Sequence, residues 1–328
     1  MKVFITQNIE PEAIELLEEK FEVVCSGVDT PLTREQFLDG IRDADAVIMV
    51  WHTEMMDKEA FETAKNLKIV ARRGVGYDNI DIKEATRRGI YVTVTPVHTH
   101  TIADLSFGLL LNAARRLPQA DAYVRSGKWS EGGTEVARLF MGYDVHHKTI
   151  GIIGFGRIGK HVAKRAGGFD MKILYYDVQR QPEAEAELNA EYADLERIYR
   201  ECDFISIHCA LTESTRHLIG RESISKMKKT AIITVSARGG IIDEEALYEA
   251  LKENRLGGAG LDVFEPEPIH SDNPLLTLDN VVFTPHLGTS VYESRVLMVV
   301  TAAKDIIHVL SGEKPEYPMN PEVSKSYS

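Results

Sequence analysis

Three side chains in the second half of the chain could together hold an anion and move a proton. Arg238 follows the apolar run AIITV in VSARGG, Glu267 lies in GAGLDVFEPEP, and His286 closes VVFTPH. An imidazole titrating near neutrality is the natural general acid or base at a carbon bearing oxygen. A carboxylate beside it, for which Glu267 is the candidate, would fix its tautomer and stabilise the imidazolium. The planar guanidinium of Arg238 would bind the carboxylate of an oxo acid and polarise the adjacent carbonyl, which lysine does less well. Taken singly, each also has a plainer reading: Arg238 as a helix-capping ion pair, Glu267 as a loop carboxylate, His286 as a satisfied buried histidine.

A second group has the chemistry of a phosphate cradle. Gly154-Phe-Gly156-Arg-Ile-Gly159 follows the apolar strand TIGII and opens the helix IGKHVAKRA, and Asp177 ends the next strand. GxGxxG alone is a weak signal; strand before, helix after and an acid at the following strand end make it a dinucleotide fingerprint. Gly154 permits a tight turn, Gly156 lets the backbone approach a pyrophosphate, and Gly159 lets helix and strand pack closely. The helix start offers N–H groups and a positive dipole end to the phosphates. Asp177 can accept hydrogen bonds from both ribose hydroxyls of NAD and would repel a 2′-phosphate. NAD is therefore expected, although Arg180, close behind with Gln179, could tolerate NADP. Moving a hydride at a carbon bearing oxygen requires a proton at that oxygen, which joins this motif to the first group.

Both groups need strand tips to stand on. Strand-like runs at Lys2–Thr6, Phe21–Cys25, Ala46–Val50, Lys68–Ala71 and Tyr91–Thr93 alternate with helical stretches at Pro11–Lys20, Arg34–Ile41, Lys58–Asn66 and Ile82–Arg88. A second series follows: strands Lys148–Ile153, Lys172–Tyr176, Phe204–His208, Ala231–Val235, Gly258–Leu261 and Val281–Phe283, with helices near Ile158–Ala166, Leu195–Glu201 and Glu244–Lys252. Such βαβα alternation implies α/β architecture with two doubly wound parallel-sheet domains. The fingerprint begins in mid-chain, and a last helix, Val291–Leu310, falls after the final strand. The expected plan is a Rossmann cofactor domain, 101–287, inserted in a substrate-binding domain made of 1–100 and 288–328. Ile102–Arg115 is apolar nearly all round and must be buried on every side, as a central helix or a subunit interface. A polar arm, Gln119–Gly142, shows no strong periodicity and is expected to reach a partner.

Composition narrows the class. Thirty-eight Lys and Arg against fifty Asp and Glu give 328 residues a net charge of −12, which argues against broad nucleic-acid or anionic-membrane binding. Cys25, Cys202 and Cys209 are too few and too scattered for a disulfide framework and fit a reducing compartment. The start of the chain does not read as a signal peptide, and no apolar run is long enough to span a bilayer. A soluble, cytoplasmic protein is expected. The histidines are dispersed and no CxxC or HxxxH occurs, so no metal is expected; His98 and His100 read as surface or packing residues.

The run from ARRGVGYDNIDIKEATRRGIYVTVTP through GIIGFGRIG, HCALTESTRHLI, ARGGIIDEEAL, GAGLDVFEPEP and FTPHLG resembles the D-isomer-specific 2-hydroxyacid dehydrogenases, nearest the glyoxylate/hydroxypyruvate reductase branch. The resemblance spans nearly the whole chain in the family's order. It implies a flavodoxin-like substrate domain beside the Rossmann domain, and a homodimer, which we expect through helix 102–115 and the following arm. It also implies reduction of a short 2-oxo acid to the D-2-hydroxy acid. Arg238 then matches the substrate-binding arginine, His286 the proton donor and Glu267 its carboxylate partner. Asp262 matches the residue holding the nicotinamide carboxamide. Arg157 and Ile158 fall at the pyrophosphate, His208 and Ala210 beside the adenosine, Ser236 and Ala237 near the nicotinamide, and Thr101 where the hinge helix meets the cofactor. Val75 and Gly76 match the turn whose N–H groups receive the substrate carboxylate. Val235, where many members carry Asn, and Ala210, where most carry Pro, depart from the pattern. If Arg72 or Arg73 faces the pocket, a second anionic group becomes possible, as in a phosphoglycerate-type dehydrogenase; otherwise they form a solvated or salt-bridged pair. A dinucleotide-sensing, corepressor-like binding protein is the alternative of a different class.

Overall fold

The computed structural model describes residues 1–130 and 136–326. The chain divides into two compact units, Met1–His98 with Thr289–Ser328, and Thr99–Gly288. Residues 131–135 of the polar arm lie outside the described residues.

The first unit holds a five-stranded sheet of β1 (Lys2–Ile5), β2 (Glu22–Cys25), β3 (Ala46–Met49), β4 (Ile69–Arg72) and β5 (Tyr91–Val94), in the order β2-β1-β3-β4-β5. Every pairing is parallel. The strands β3, β4 and β5 are buried along their whole length, as expected where helices cover both faces. Side chains alternate between those faces. Val3 and Ile5 pack with Leu17, Val299, Ala302 and Ile306, while Phe4 joins Phe37, Val47 and Phe61 on the other side. The helices start where the chain supplies caps: Thr33 and Gln36 form a capping box for Arg34–Ile41, and Asp57 and Asp81 cap Lys58–Thr63 and Ile82–Arg87. The closing helix Tyr292–Leu310 lies on β3, β4 and β5, so the end of the chain completes the sheet of its beginning.

The second unit holds seven parallel strands: β6 (Thr149–Ile153), β7 (Lys172–Tyr176), β8 (Ala190–Tyr192), β9 (Phe204–Ile207), β10 (Ile232–Val235), β11 (Gly258–Leu261) and β12 (Val281–Phe283). Their order is β12-β11-β10-β9-β6-β7-β8, which reverses direction at β6. The helix Thr99–Arg115 lies against β10, β11 and β12 and against the helix Arg157–Gly167. It is buried at Ile102, Phe107, Leu109 and Leu110, but Asp104 is exposed and Leu105 and Leu111 are half-buried. Burial on every side is therefore not what this helix has within the unit.

The polar arm is more ordered than its sequence suggests. It contains the helices Leu117–Arg125 and Val136–Leu139 and a helical turn at Lys128–Ser130. Leu117–Arg125 buries none of its residues. Among the described residues no helix is long and apolar enough to cross a membrane.

Candidate active site

The glycine turn leaves β6 where the strand order reverses, the point at which an open parallel sheet offers a crevice beyond its strand ends. Gly154 has φ +92°, and a Cβ there would collide with the backbone of His208 and Cys209. Gly159 faces inward, and a Cβ on it would strike the Gly154 carbonyl. Gly156 is the opposite case: it is exposed, with open space where a Cβ would project. It precedes the helix Arg157–Gly167 without any side-chain cap, and Arg157 is exposed and Ile158 half-buried in the first turn. An uncapped helix start beside open space suits the pyrophosphate of a dinucleotide.

Asp177 follows β7 and reaches back to the turn. Its Oδ2 accepts the Phe155 N–H at 2.7 Å and its Oδ1 the Gln179 N–H at 3.3 Å. Across the turn, His208 Nε2 lies 2.8 Å from Ser206 Oγ, which itself accepts the Thr234 hydroxyl at 3.0 Å. These bonds tie the imidazole to β9 and, through Thr234, to β10. Burial pushes His208 down to about 3, so the ring stays neutral. Ala210 is exposed, and its carbonyl accepts the Thr215 hydroxyl at 2.6 Å.

The strands β10, β11 and β12 lie side by side and end together. Arg238 is half-buried just past β10, where its Nη1 donates to the Ala237 carbonyl at 2.8 Å. A Cβ on Gly239 would run into the Phe264 backbone, so this glycine lets the turn after β10 lie directly on the loop after β11. That loop carries Glu267, whose Oε1 accepts the Phe264 N–H at 2.9 Å and whose Oε2 lies 2.8 Å from His286 Nδ1. Fixing the carboxylate at one oxygen aims the other at the ring. His286 sits at φ +55°, with its N–H bonded to the Asp262 and Thr284 carbonyls, each at 3.0 Å. Histidine tolerates this left-handed backbone better than most residues. With Nδ1 turned to Glu267, Nε2 is the nitrogen that can exchange a proton with a substrate.

Asp262 has a structural occupation that the sequence does not reveal. It has no exposed surface. Its Oδ1 accepts the Thr284 hydroxyl at 2.6 Å and the Leu287 N–H at 2.7 Å, and its Oδ2 the Gly288 N–H at 3.0 Å. Burial holds the carboxyl above its ordinary range against the lowering pull of those bonds. The residue expected at the nicotinamide carboxamide therefore braces segment 284–288, which bears His286. Thr284 was not singled out by sequence, where only a hydroxyl at a strand end could have marked it. Ser236 is linked to the helix Thr99–Arg115 through Ser106, Oγ to Oγ at 2.7 Å, and Thr101 is half-buried in that helix's first turn.

Val75 and Gly76 belong to the other unit, in the half-buried turn after β4. The turn is tied to β5 by the Gly74 N–H, which donates to Thr95 Oγ1 at 2.7 Å. Arg72 is buried rather than solvated, and donates to the carbonyls of Met49 at 3.0 Å and of Arg73 and Gly76 at 3.1 Å, and to that of Val50. It braces the turn from behind. Arg73 is half-buried, pushed down first by burial and then by Arg295. His98 is 2% exposed and pushed down to about 4 by burial, whereas His100 is exposed and lies against His161, with the rings tilted at 33°. All three cysteines are free, and burial pushes Cys202 up to about 12 and Cys209 to about 11. Among the described residues no three His, Cys, Asp or Glu side chains gather as a metal site would.

Comparison with known proteins gives one consistent result. The family described as D-isomer specific 2-hydroxyacid dehydrogenase, NAD binding domain, matches residues 107–288. A glyoxylate reductase of Pyrococcus horikoshii is 50% identical over 326 residues, covering 99% of this chain and 97% of the relative. One of Korarchaeum cryptofilum is 47% identical over 325 residues, with the same shares. Among solved structures, a protein of Thermus thermophilus matches with a TM-score of 0.91 at 37% identity, over 97% of this chain and 100% of that one.

Proposed function

This chain belongs to the D-isomer specific 2-hydroxyacid dehydrogenase family, and we propose on that premise that it reduces glyoxylate, or the related hydroxypyruvate, with NADH. Membership makes it an NAD(P)-dependent oxidoreductase of the CH–OH group. The observation that carries the finer reading is the His286–Glu267 pair at 2.8 Å, with Glu267 itself fixed by the Phe264 N–H.

When bound, the nicotinamide supplies the hydride for the keto carbon. Gly154, Gly156, Arg157, Ile158 and Gly159 would hold the pyrophosphate and Asp177 the ribose hydroxyls. His208 and Ala210 would flank the adenosine, and Ser236, Ala237 and Thr101 the nicotinamide end. Asp262 would serve that end by fixing segment 284–288. In this reading 101–287 is the cofactor domain, and 1–100 with 288–328 takes the substrate. The Arg238 guanidinium would receive the substrate carboxylate. As negative charge grows on the carbonyl oxygen, protonated His286 gives up its Nε2 proton there, while Glu267 stabilises the imidazolium beforehand. Proton transfer of this kind contributes about 10²–10⁴ in rate.

We assign NAD rather than NADP to Asp177, whose carboxylate would repel a 2′-phosphate. We also propose a homodimer through helix 102–115 and the arm, on which Leu117, Val124, Trp129, Leu139 and Met141 are exposed together in sequence. Light scattering on the purified chain tests that: a monomer at micromolar concentration would exclude it. The test of function follows NADH and NADPH absorbance with glyoxylate, hydroxypyruvate and phosphohydroxypyruvate. The highest kcat/KM is expected for one of the first two with NADH. Preference for the phosphorylated acid would favour the phosphoglycerate-type reading, and NADH binding without turnover on any of them a sensing module.

A further inference from the structure

Arg180 is the one cation in the segment Asp177–Gln181, and in the sequence its role is open. In the structure one edge of its guanidinium is occupied. Nε and Nη2 donate to Glu185 Oε1 and Oε2 at 2.8 and 2.9 Å, a bidentate pair. Glu185 Oε1 also accepts the Tyr175 phenol at 2.6 Å, and the Tyr175 oxygen accepts the Gln181 N–H at 2.8 Å. Tyr175 is fully buried and stacks on Phe155, the residue between the first two glycines of the turn, with ring centroids 3.9 Å apart. Lys160 donates to Gln181 Oε1 at 2.8 Å, anchoring the same segment to the helix Arg157–Gly167. Glu185 is only 14% exposed on its side chain, against 64% for Arg180, so the rigid partner of the pair is the acid.

We propose that Glu185 is a positioning residue for cofactor choice: it holds the Arg180 guanidinium on the helix Pro182–Leu188 and so denies a 2′-phosphate its nearest cation. The inference rests on the reading of Asp177 as the ribose acid and adds a second element to it. Asp177 acts by repulsion, and Glu185 acts by diversion. The Glu185 carboxylate takes the Nε–Nη2 edge of the guanidinium, so a phosphate is left only the outer Nη1–Nη2 edge, and only where the carboxylate holds it. An incoming phosphate competes with a partner already tethered five residues away, which has the advantage of high local concentration. Arg180 and Tyr175 hold the Glu185 carboxyl down to about 2, so it is ionised at neutral pH. An ion pair this exposed on its arginine side adds little to folding. Its removal should therefore read out on the cofactor.

The experiment is fluorescence titration of the full-length chain with NADH and with NADPH, beside steady-state kinetics with both. The variants are Glu185→Gln, Asp177→Ala, the two combined, and the combination with Arg180→Ala. Glutamine keeps an acceptor for Tyr175 while surrendering the charge that holds Arg180. E185Q is expected to tighten NADPH roughly tenfold in the D177A background, the scale of one charge-assisted contact, with the NADH Kd unchanged. Adding R180A should erase that gain. An NADPH Kd indifferent to E185Q in both backgrounds overturns the proposal, as does a gain that survives R180A. If D177A leaves the ratio of the two cofactors unchanged while E185Q still tightens NADPH through Arg180, the ribose assignment of Asp177 fails and the diversion by Glu185 stands.

Discussion

The His286 ring is held by its Nδ1 against a carboxylate that is itself fixed by the Phe264 N–H. Removing the imidazole while leaving the glycine turn untouched separates proton transfer from cofactor binding. His286→Ala should lower kcat by about 10²–10⁴ while the NADH Kd, read by fluorescence, stays within about twofold. A variant that kept wild-type kcat would transfer the proton donor's role elsewhere. Arg238→Lys keeps the charge but loses the planar fork, so KM for the 2-oxo acid should rise roughly tenfold, seen in initial rates across substrate concentration. The Glu267–His286 contact was legible, because an imidazole at a strand end calls for a carboxylate beside it to fix its tautomer. Arg72 and Asp262 were not. Charge can be read from a sequence, but the convergence of the Met49, Val50 and Gly76 carbonyls on Arg72 arises only when three segments of chain meet.

At the scale of elements, the loops after β10, β11 and β12 behave as one assembly. Gly239 lets the first lie on the backbone of the second, and Asp262 ties the second to the third through Thr284, Leu287 and Gly288. Thr284→Val keeps the shape but removes a 2.6 Å bond to a buried carboxylate. It should cost about 1–3 kcal/mol of stability in urea unfolding and lower kcat more than KM, since the displaced segment bears His286. An unchanged midpoint and unchanged kcat would show that Asp262 is held adequately by the backbone alone. The strands were legible because parallel strands buried on both faces are short unbroken apolar runs. What escaped was polar: β8 and the helix Pro182–Leu188 come from PEAEAELNAEY, where few residues are buried and no period stands out. The arm's helix Leu117–Arg125 likewise buries none of its residues.

For the whole molecule, acid is the condition that tests both units at once. His98 in the first and His208 in the second are pushed down by burial to about 4 and about 3. An unfolded histidine titrates near 6.5, so between that value and the folded one the unfolded chain binds more protons. Stability is then complete above about 6.5 and is lost as pH falls toward the folded values. For His98 the gap from 6.5 to about 4 corresponds to roughly 3 kcal/mol. Scanning calorimetry should show a Tm that declines as pH falls below about 6.5, with the decline shallower in His98→Gln; an equally steep fall in that variant would assign the acid sensitivity to other groups. The return of the final helix to the first sheet bears on how the chain is made. Val3, Ile5 and Leu17 leave the ribosome early, yet the Val299, Ala302 and Ile306 they pack against emerge near the end. The cores of the second unit draw only on residues between 99 and 288. During synthesis the inserted unit can consolidate while the first sheet waits with one face bare, an interval in which a nascent chain depends on chaperones. A chain that terminates before Val299 would keep one finished half and leave the other permanently open.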